Sequence, residues 1–126
     1  MEWFKRFNKK EGLVKKSTEI EGTLYDRMKE IASHELDASV NKIIDSCVEE
    51  FSIENEIIVH QKPKDEISVA RSIIIRESMY EKLEDMRRKY GISITKLINI
   101  AIKEGIDKYD EFKRKQANGS NTSHNK

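Results

Sequence analysis

Residues that could carry out catalysis or bind a metal ion are few in this chain and are spread along it. The single cysteine, Cys47, and the three histidines, His34, His60 and His124, show no spacing typical of a metal site. The five glycines are isolated, so there is no glycine-rich loop to cradle a phosphate group. Cys47 lies on the apolar stripe of a predicted helix, which indicates a buried side chain rather than a nucleophile. The sequence therefore predicts a protein that is not an enzyme and has neither a cofactor nor a metal.

Side chains and backbone groups suited to binding are concentrated in two strand-like runs and at two predicted helix starts. Arg71–Arg76 is rich in β-branched residues and has an arginine at each end, and Lys15–Ile20 is a polar run that begins with two lysines. Ser39 and Ser93 each precede a stretch with helical periodicity, where a serine caps the helix. The free backbone N–H groups of a helix start also favour an anion such as a phosphate. Simple capping is the alternative, and both interpretations can hold together.

Charge is unevenly distributed, although the whole chain has a formal net charge of only +1. Residues 1–16 carry a net charge of +4, residues 17–51 carry −6 and residues 113–126 carry +4. Basic ends on either side of a neutral-to-acidic middle predict cationic arms that contact a polyanion. Solvated termini without a partner are the alternative interpretation.

The length of 126 residues allows one ordinary domain or two small units that share a core. The longest strongly apolar stretch, Ile73–Ile75, is far shorter than the ~20 residues that a membrane span requires. Residues 1–7 lack the apolar segment of a signal peptide, and a single cysteine fits a reducing compartment. We therefore expect a soluble cytoplasmic protein with no membrane span.

An internal repeat is the most informative feature of the sequence. Leu24–Met28 matches Met79–Leu83 at an offset of 55 residues, in the order apolar, tyrosine, acidic, basic, apolar. Ser39–Ile44 matches Ser93–Ile98 at an offset of 54, because the first inter-helix turn has one additional residue. The pattern predicts two copies of a unit with the order strand, helix, turn, helix.

The second copy is the clearer of the two. Ser78 is predicted to cap its first helix, and Gly91 to end that helix in the left-handed conformation. The first copy lacks a glycine in its turn, and its strand contains Glu19. The predicted organisation is a basic, aromatic arm (1–14), a first unit (15–51), a linker (52–69), a second unit (70–112) and a disordered polar tail (113–126).

This order of elements resembles the ribbon-helix-helix proteins, the Arc/MetJ/CopG superfamily of DNA-binding proteins. The resemblance is strongest over residues 71–109, where Met79–Leu83 is similar to the family's first helix and Gly91–Ile98 to its turn and second helix. Residues 15–51 resemble a degenerate copy. The resemblance implies a mainly α-helical fold with a short antiparallel two-stranded ribbon, in which two tandem units pack as an intrachain pseudo-dimer.

In that family the ribbon enters the major groove of DNA, which is wide enough to admit it. The resemblance places one face of each strand against the helices, with Thr18, Ile20, Ile73 and Ile75 inward. The implied base contacts are Ser17, Glu19, Ser72 and Ile74. The implied phosphate contacts are Lys15, Lys16, Arg71 and Arg76, together with the helix starts at Ser39, Ser93 and Ile94. Two alternatives are the opposite register, with Arg71 and Ile73 outward, and a first copy that no longer contacts DNA because Glu19 repels phosphate.

The resemblance implies a sequence-specific DNA-binding protein, and we expect a transcriptional repressor that occludes a promoter. A plasmid conjugation accessory factor or a partition factor is the alternative, since a fold does not determine how the bound DNA is used. A protein-interaction module without a DNA role is the third interpretation, favoured by the acidic residues 17–51. The expected partners are double-stranded DNA, further copies of the chain on DNA, and a protein that binds the first unit or the arm with Trp3, Phe4 and Phe7.

Overall fold

The computed structural model describes residues 12–33, 39–52 and 65–124, with side chains described as far as residue 117. Three predicted segments lie outside the described residues. They are the aromatic arm with Trp3, Phe4 and Phe7, the first inter-helix turn, and most of the linker.

Two strands of nine residues form an antiparallel sheet. β1, Leu13–Glu21, pairs along its whole length with β2, Ser68–Arg76, and Ser17 lies opposite Ser72 at the centre. Both strands are longer than predicted, since residues 13–14 from the predicted arm and 68–69 from the predicted linker join the ladder. Pairing satisfies the backbone groups along one edge of each strand, which a lone strand would leave open.

Each strand is followed by two helices, so the predicted order of elements is confirmed. The helices are α1 (Gly22–Ile31), α2 (Val40–Ser52), α3 (Glu77–Tyr90) and α4 (Ile94–His124). The described part of the chain is thus mainly helical, with one two-stranded sheet. None of these helices contains an apolar stretch long enough to cross a membrane.

The ends of α3 test two local predictions. Gly91 ends the helix with φ of 70°, as predicted, and its N–H donates to the carbonyl of Arg87 over 2.9 Å. The predicted cap at Ser78 is wrong, because β2 runs directly into α3 and Arg76 is the residue that precedes the helix. The N–H of Glu77 instead donates to the carbonyl of Gly12 over 2.9 Å, so backbone from the other strand satisfies the first donor.

The predicted disordered tail is also corrected, since α4 continues from residue 113 through His124. Glu111 and Lys115 form an ion pair one helical turn apart, which supports the helix where the predicted unit ends. Extending an existing helix orders one residue for each hydrogen bond gained, so the continuation needs no new nucleus.

The core is one apolar cluster to which every strand and helix contributes, including Ile20, Ile31, Ile44, Ile75 and Leu83. Cys47 is buried in it at 1% exposure, as the helical stripe predicted. Helices α2 and α4 approach closely here, because a Cβ atom at Gly105 would lie 2.3 Å from the Cys47 sulfur. Glycine at residue 105 therefore provides the space that this helix crossing needs.

Candidate nucleic-acid interface

The two faces of the ribbon are clearly distinguished by burial. Thr18, Ile20, Ile73 and Ile75 are all buried against the helices, the most exposed of them at 7%. The predicted inward face is therefore confirmed, and the alternative register with Ile73 outward is wrong. Because strand side chains alternate, the intervening residues form the opposite face.

The opposite face, here called the outer ribbon face, consists of three residues from each strand. Ser17 and Ser72 are paired at its centre, Lys15 lies opposite Ile74, and Glu19 lies opposite Ala70. All are exposed except Ile74, which is half-buried. The four residues predicted to contact bases thus share one surface of small or medium-sized side chains, and their contact with DNA stays a prediction. The members of the outer ribbon face are Lys15, Ser17, Glu19, Ala70, Ser72 and Ile74.

The outer edge of β2 is held by side chains from α2. The Asn41 Oδ1 atom accepts a hydrogen bond from the N–H of Ile74 over 3.1 Å. One turn later, Asp45 Oδ2 accepts from the N–H of Arg76 over 2.9 Å. The first half of α2 is therefore fixed beside the ribbon, and these acceptors satisfy strand donors that would otherwise be open.

The outer edge of β1 is held in the same way by α4. Asn99 Oδ1 accepts from the N–H of Glu21 over 2.9 Å, and Asn99 Nδ2 donates to the carbonyl of Glu19 over 2.9 Å. The hydroxyls of Thr18 and Thr95 lie 3.2 Å apart. Both α2 and α4 consequently begin beside the edges of the ribbon.

The starts of these two helices have the same capping geometry. Ser39 Oγ accepts from the N–H of Lys42, and Ser93 Oγ accepts from the N–H of Lys96, each over 3.2 Å. Both serines are exposed, and Ile94, the first residue of α4, is half-buried. Capping at Ser39 and Ser93 is thus confirmed, whereas a phosphate contact there stays a prediction.

The sequence prediction overlooked the two lysines in these first turns. Lys42 and Lys96 each lie three residues after the cap serine, and neither first turn contains an acidic residue. A cation is unfavourable near the positive end of a helix dipole unless an anion is also present. The repeat in the sequence already aligns these two lysines. Their positions in the first turns add both to the candidate phosphate contacts.

Two further cations lie over aromatic rings. Lys16 Nζ is 5.0 Å from the ring centroid of Tyr80, and Arg71 Cζ is 4.8 Å from that of Tyr25. Both cations belong to exposed residues, so the rings hold positive charge at the flanks of the ribbon while leaving it accessible. Lys15 is exposed as well, and these three residues remain candidate phosphate contacts.

Arg76 is not available for a phosphate, which corrects its predicted role. Its side chain is 2% exposed and donates from Nε and Nη2 to Asp45 Oδ1 over 2.9 and 2.7 Å, and it also bonds Glu49. Burial by itself would lower the pKa of Arg76, but the hydrogen bonds and charges of Asp45 and Glu49 raise it overall. Arg76 is therefore a charged structural residue at the end of β2.

Reactive groups are not prominent within the described ranges. Burial raises the pKa of the Cys47 thiol to about 12, with Glu50 adding to the shift and Lys108 opposing it. The described residues contain no cluster of three histidine, cysteine, aspartate or glutamate side chains suited to a metal ion. The ribbon presents exposed hydroxyls and cations, with two helix starts at its edges.

Comparisons of the chain with protein-family models, with curated proteins and with solved structures found no match.

Proposed function

We propose that the chain consists of two ribbon-helix-helix units, 13–52 and 68–112, which pack as a pseudo-dimer about an axis between Ser17 and Ser72. The strand register supports this, because an offset of 55 residues carries the whole of β1 onto the whole of β2. In an antiparallel pair, such an offset relates each strand to its partner by a two-fold rotation through the central pair.

Matched contacts at both ends of the ribbon support the same symmetry. The N–H of Gly22 donates to the carbonyl of Ile67 over 2.8 Å, and the N–H of Glu77 donates to the carbonyl of Gly12 over 2.9 Å. Each donor and each acceptor is 55 residues from its counterpart. In both contacts the start of a unit's first helix bonds to the backbone residue immediately before the other unit's strand, so each unit relies on the chain around the other.

We further propose that the protein binds double-stranded DNA without catalysis, by inserting the outer ribbon face into the major groove. One observation carries this proposal: the ribbon that exposes Ser17 and Ser72 is held at its two edges by α2 and α4, and each of these helices has a capped start with a lysine in its first turn. Hydroxyls at Ser17 and Ser72 can donate to or accept from base edges, and Lys42 and Lys96 can contact the phosphates on either side. Lys16 and Arg71 add positive charge at the flanks.

The proposed role of the bound protein is transcriptional repression, since a ribbon in the major groove excludes other proteins from the same DNA. A conjugation or partition factor would use the same interface at a different site. The genomic position of the bound sequences distinguishes these roles, because a repressor's sites overlap promoters and the others lie at transfer or partition loci.

The experiment is selection of bound duplexes from a random DNA library, followed by a salt titration of affinity for the selected duplex. Phosphate contacts predict a log–log slope of about −0.9 for each neutralised phosphate. Replacing Lys42 and Lys96 with alanine should weaken binding and reduce the magnitude of the slope by about 2, since roughly one unit is lost with each phosphate contact.

A matched control removes the same charge elsewhere. Lys82 lies near Ser52 at the end of α2, and Lys103 pairs with Asp107 further along α4, so K82A/K103A should bind nearly as well as the unmodified chain. Absence of binding at low salt would overturn the proposal and favour a protein-interaction role for the acidic residues 17–51. Equal losses for K42A/K96A and K82A/K103A would overturn the proposed interface.

A further inference from the structure

The outer ribbon face differs between positions that the repeat matches. At an offset of 55, Ser17 corresponds to Ser72, but Lys15 corresponds to Ala70 and Glu19 to Ile74. The central position is thus identical in the two strands, whereas both outer positions change in charge and in size.

The strand register places these differences at opposite ends of the face. Lys15 lies opposite Ile74, which makes one end cationic and apolar. Glu19 lies opposite Ala70, which makes the other end acidic with one small methyl group. Lys15 and Glu19 are four residues apart, about 13 Å along the strand, or roughly four base-pair steps. The two ends therefore face different base pairs.

The chemistry of each end favours different bases. A lysine donates to O6 and N7 of guanine, and an isoleucine side chain packs against the methyl group of thymine. A glutamate accepts from N4 of cytosine, and an alanine also suits a thymine methyl. Lys15 with Ile74 and Glu19 with Ala70 consequently present different patterns of donors, acceptors and apolar groups to DNA.

The groups that flank this face are, in contrast, alike in both halves. Lys42 matches Lys96 at the helix starts, and the cation over Tyr80 matches the cation over Tyr25. Phosphate contacts from these groups would hold the protein equally well in either direction along the duplex. Among the described residues of the ribbon and its flanks, it is the outer ribbon face that distinguishes one direction from the other.

We infer that this chain recognises a non-palindromic DNA site and binds it in one orientation, which Lys15 and Ile74 set at one end and Glu19 and Ala70 at the other. The inference rests on the proposed DNA binding and specifies the class of site. A homodimer with identical strands presents the same residues to both half-sites, whereas a single chain with two strands is free of that constraint.

The test begins with the sequences selected by the unmodified chain. The expected motif has two different halves around a common centre. Palindromic duplexes built from either half-motif alone should bind at least about tenfold more weakly, because each carries mismatched base pairs at one end. Recovery of a palindromic motif would overturn the inference and leave the proposed function standing. Recovery of no motif would overturn sequence-specific recognition of bases by the ribbon.

Symmetrised variants identify the residues responsible. K15A/E19I gives β1 the same outer residues as β2 and changes only exposed positions, so it should select a palindromic motif. A variant that keeps the original asymmetric motif would contradict the assignment to these residues. Lys15→Ala and Glu19→Ala serve as single-site checks, since each should relax base preference at one end of the motif only. Relaxation at both ends by either change would also overturn the inference.

Discussion

At each end of the ribbon, a buried strand N–H donates to a side chain of the helix packed on it, but the accepting side chain is a carboxylate at one end and an amide at the other. At the end of β2, the N–H of Arg76 donates to Asp45 on α2, and at the end of β1, the N–H of Glu21 donates to Asn99 on α4. Both hydrogen bonds measure 2.9 Å, and the repeat offsets match both donors and both acceptors. We call the first site, Arg76 with Asp45 and Glu49, the ionic junction, and the second, Glu21 with Asn99, the amide junction.

The two junctions show which hydrogen bonds the backbone requires and which interactions the side chains add. A side-chain oxygen on the packed helix is needed at both ends, because each strand donor is buried where β meets α. At the amide junction, Asn99 also donates to the carbonyls of Glu19 and Thr95, so a neutral group satisfies several backbone atoms. At the ionic junction, Asp45 must in addition neutralise a buried guanidinium.

The largest expected effect is therefore at Asp45. Asp45→Ala leaves the charge of Arg76 buried, with Glu49 as its remaining partner among the described residues, and it removes the acceptor for the Arg76 N–H. Breaking a buried ion pair from one side typically costs about 3–5 kcal/mol, and we expect a loss of unfolding free energy in this range. Urea denaturation followed by circular dichroism measures it.

Asn99→Ala should have the second-largest effect. It removes hydrogen bonds to backbone groups, which carry no formal charge. Unsatisfied buried backbone groups cost about 1–3 kcal/mol, so the loss should be smaller than at Asp45. The same denaturation series compares the two variants directly. A larger loss for Asn99→Ala than for Asp45→Ala would contradict the distinction between the junctions.

Glu49→Ala should have a smaller effect, because Arg76 keeps both side-chain hydrogen bonds to Asp45 Oδ1. The Glu49 side chain is 22% exposed, so water can replace part of the lost interaction. We expect a loss of about 1 kcal/mol, in the upper range for partly solvated ion pairs. A loss as large as that of Asp45→Ala would show that the guanidinium depends on both carboxylates equally.

Arg88→Ala should cause the smallest loss of unfolding free energy among these substitutions. Arg88 and Asp85 form an ion pair within α3, and their side chains are 60% and 71% exposed. Exposed pairs of this kind contribute between about 0 and 1 kcal/mol, so the midpoint of denaturation should change little. A shift comparable to that of Asn99→Ala would indicate that surface charge, rather than the junctions, dominates stability.

The contrast between the junctions also shows what the sequence could predict. Periodicity and the repeat predicted the order of elements and the caps at Ser39, Ser93 and Gly91, and the family resemblance implied the inward isoleucines of β2. The sequence also aligned Lys42 with Lys96, although their first-turn position was not recognised as a candidate phosphate contact. These features depend on residues a few positions apart.

Two features that depend on distant residues were predicted wrongly. Arg76 ends a basic strand and looked exposed, but Asp45 lies 31 residues earlier and reaches it only because α2 packs along β2. The cap predicted at Ser78 failed for a similar reason, since backbone from Gly12 satisfies the first donor of α3. Helical periodicity and composition predict which face of an element is buried. They do not identify the residue that packs against it.

The most direct measurement of the central claim is a titration of the isotope-labelled chain with a selected duplex, followed by backbone amide chemical shifts. The account predicts that the largest changes fall on residues 15–19 and 70–74 and on the helix starts at 39–42 and 93–96. Changes confined to α1 or to α4 near Phe112, with the outer ribbon face unaffected, would contradict it.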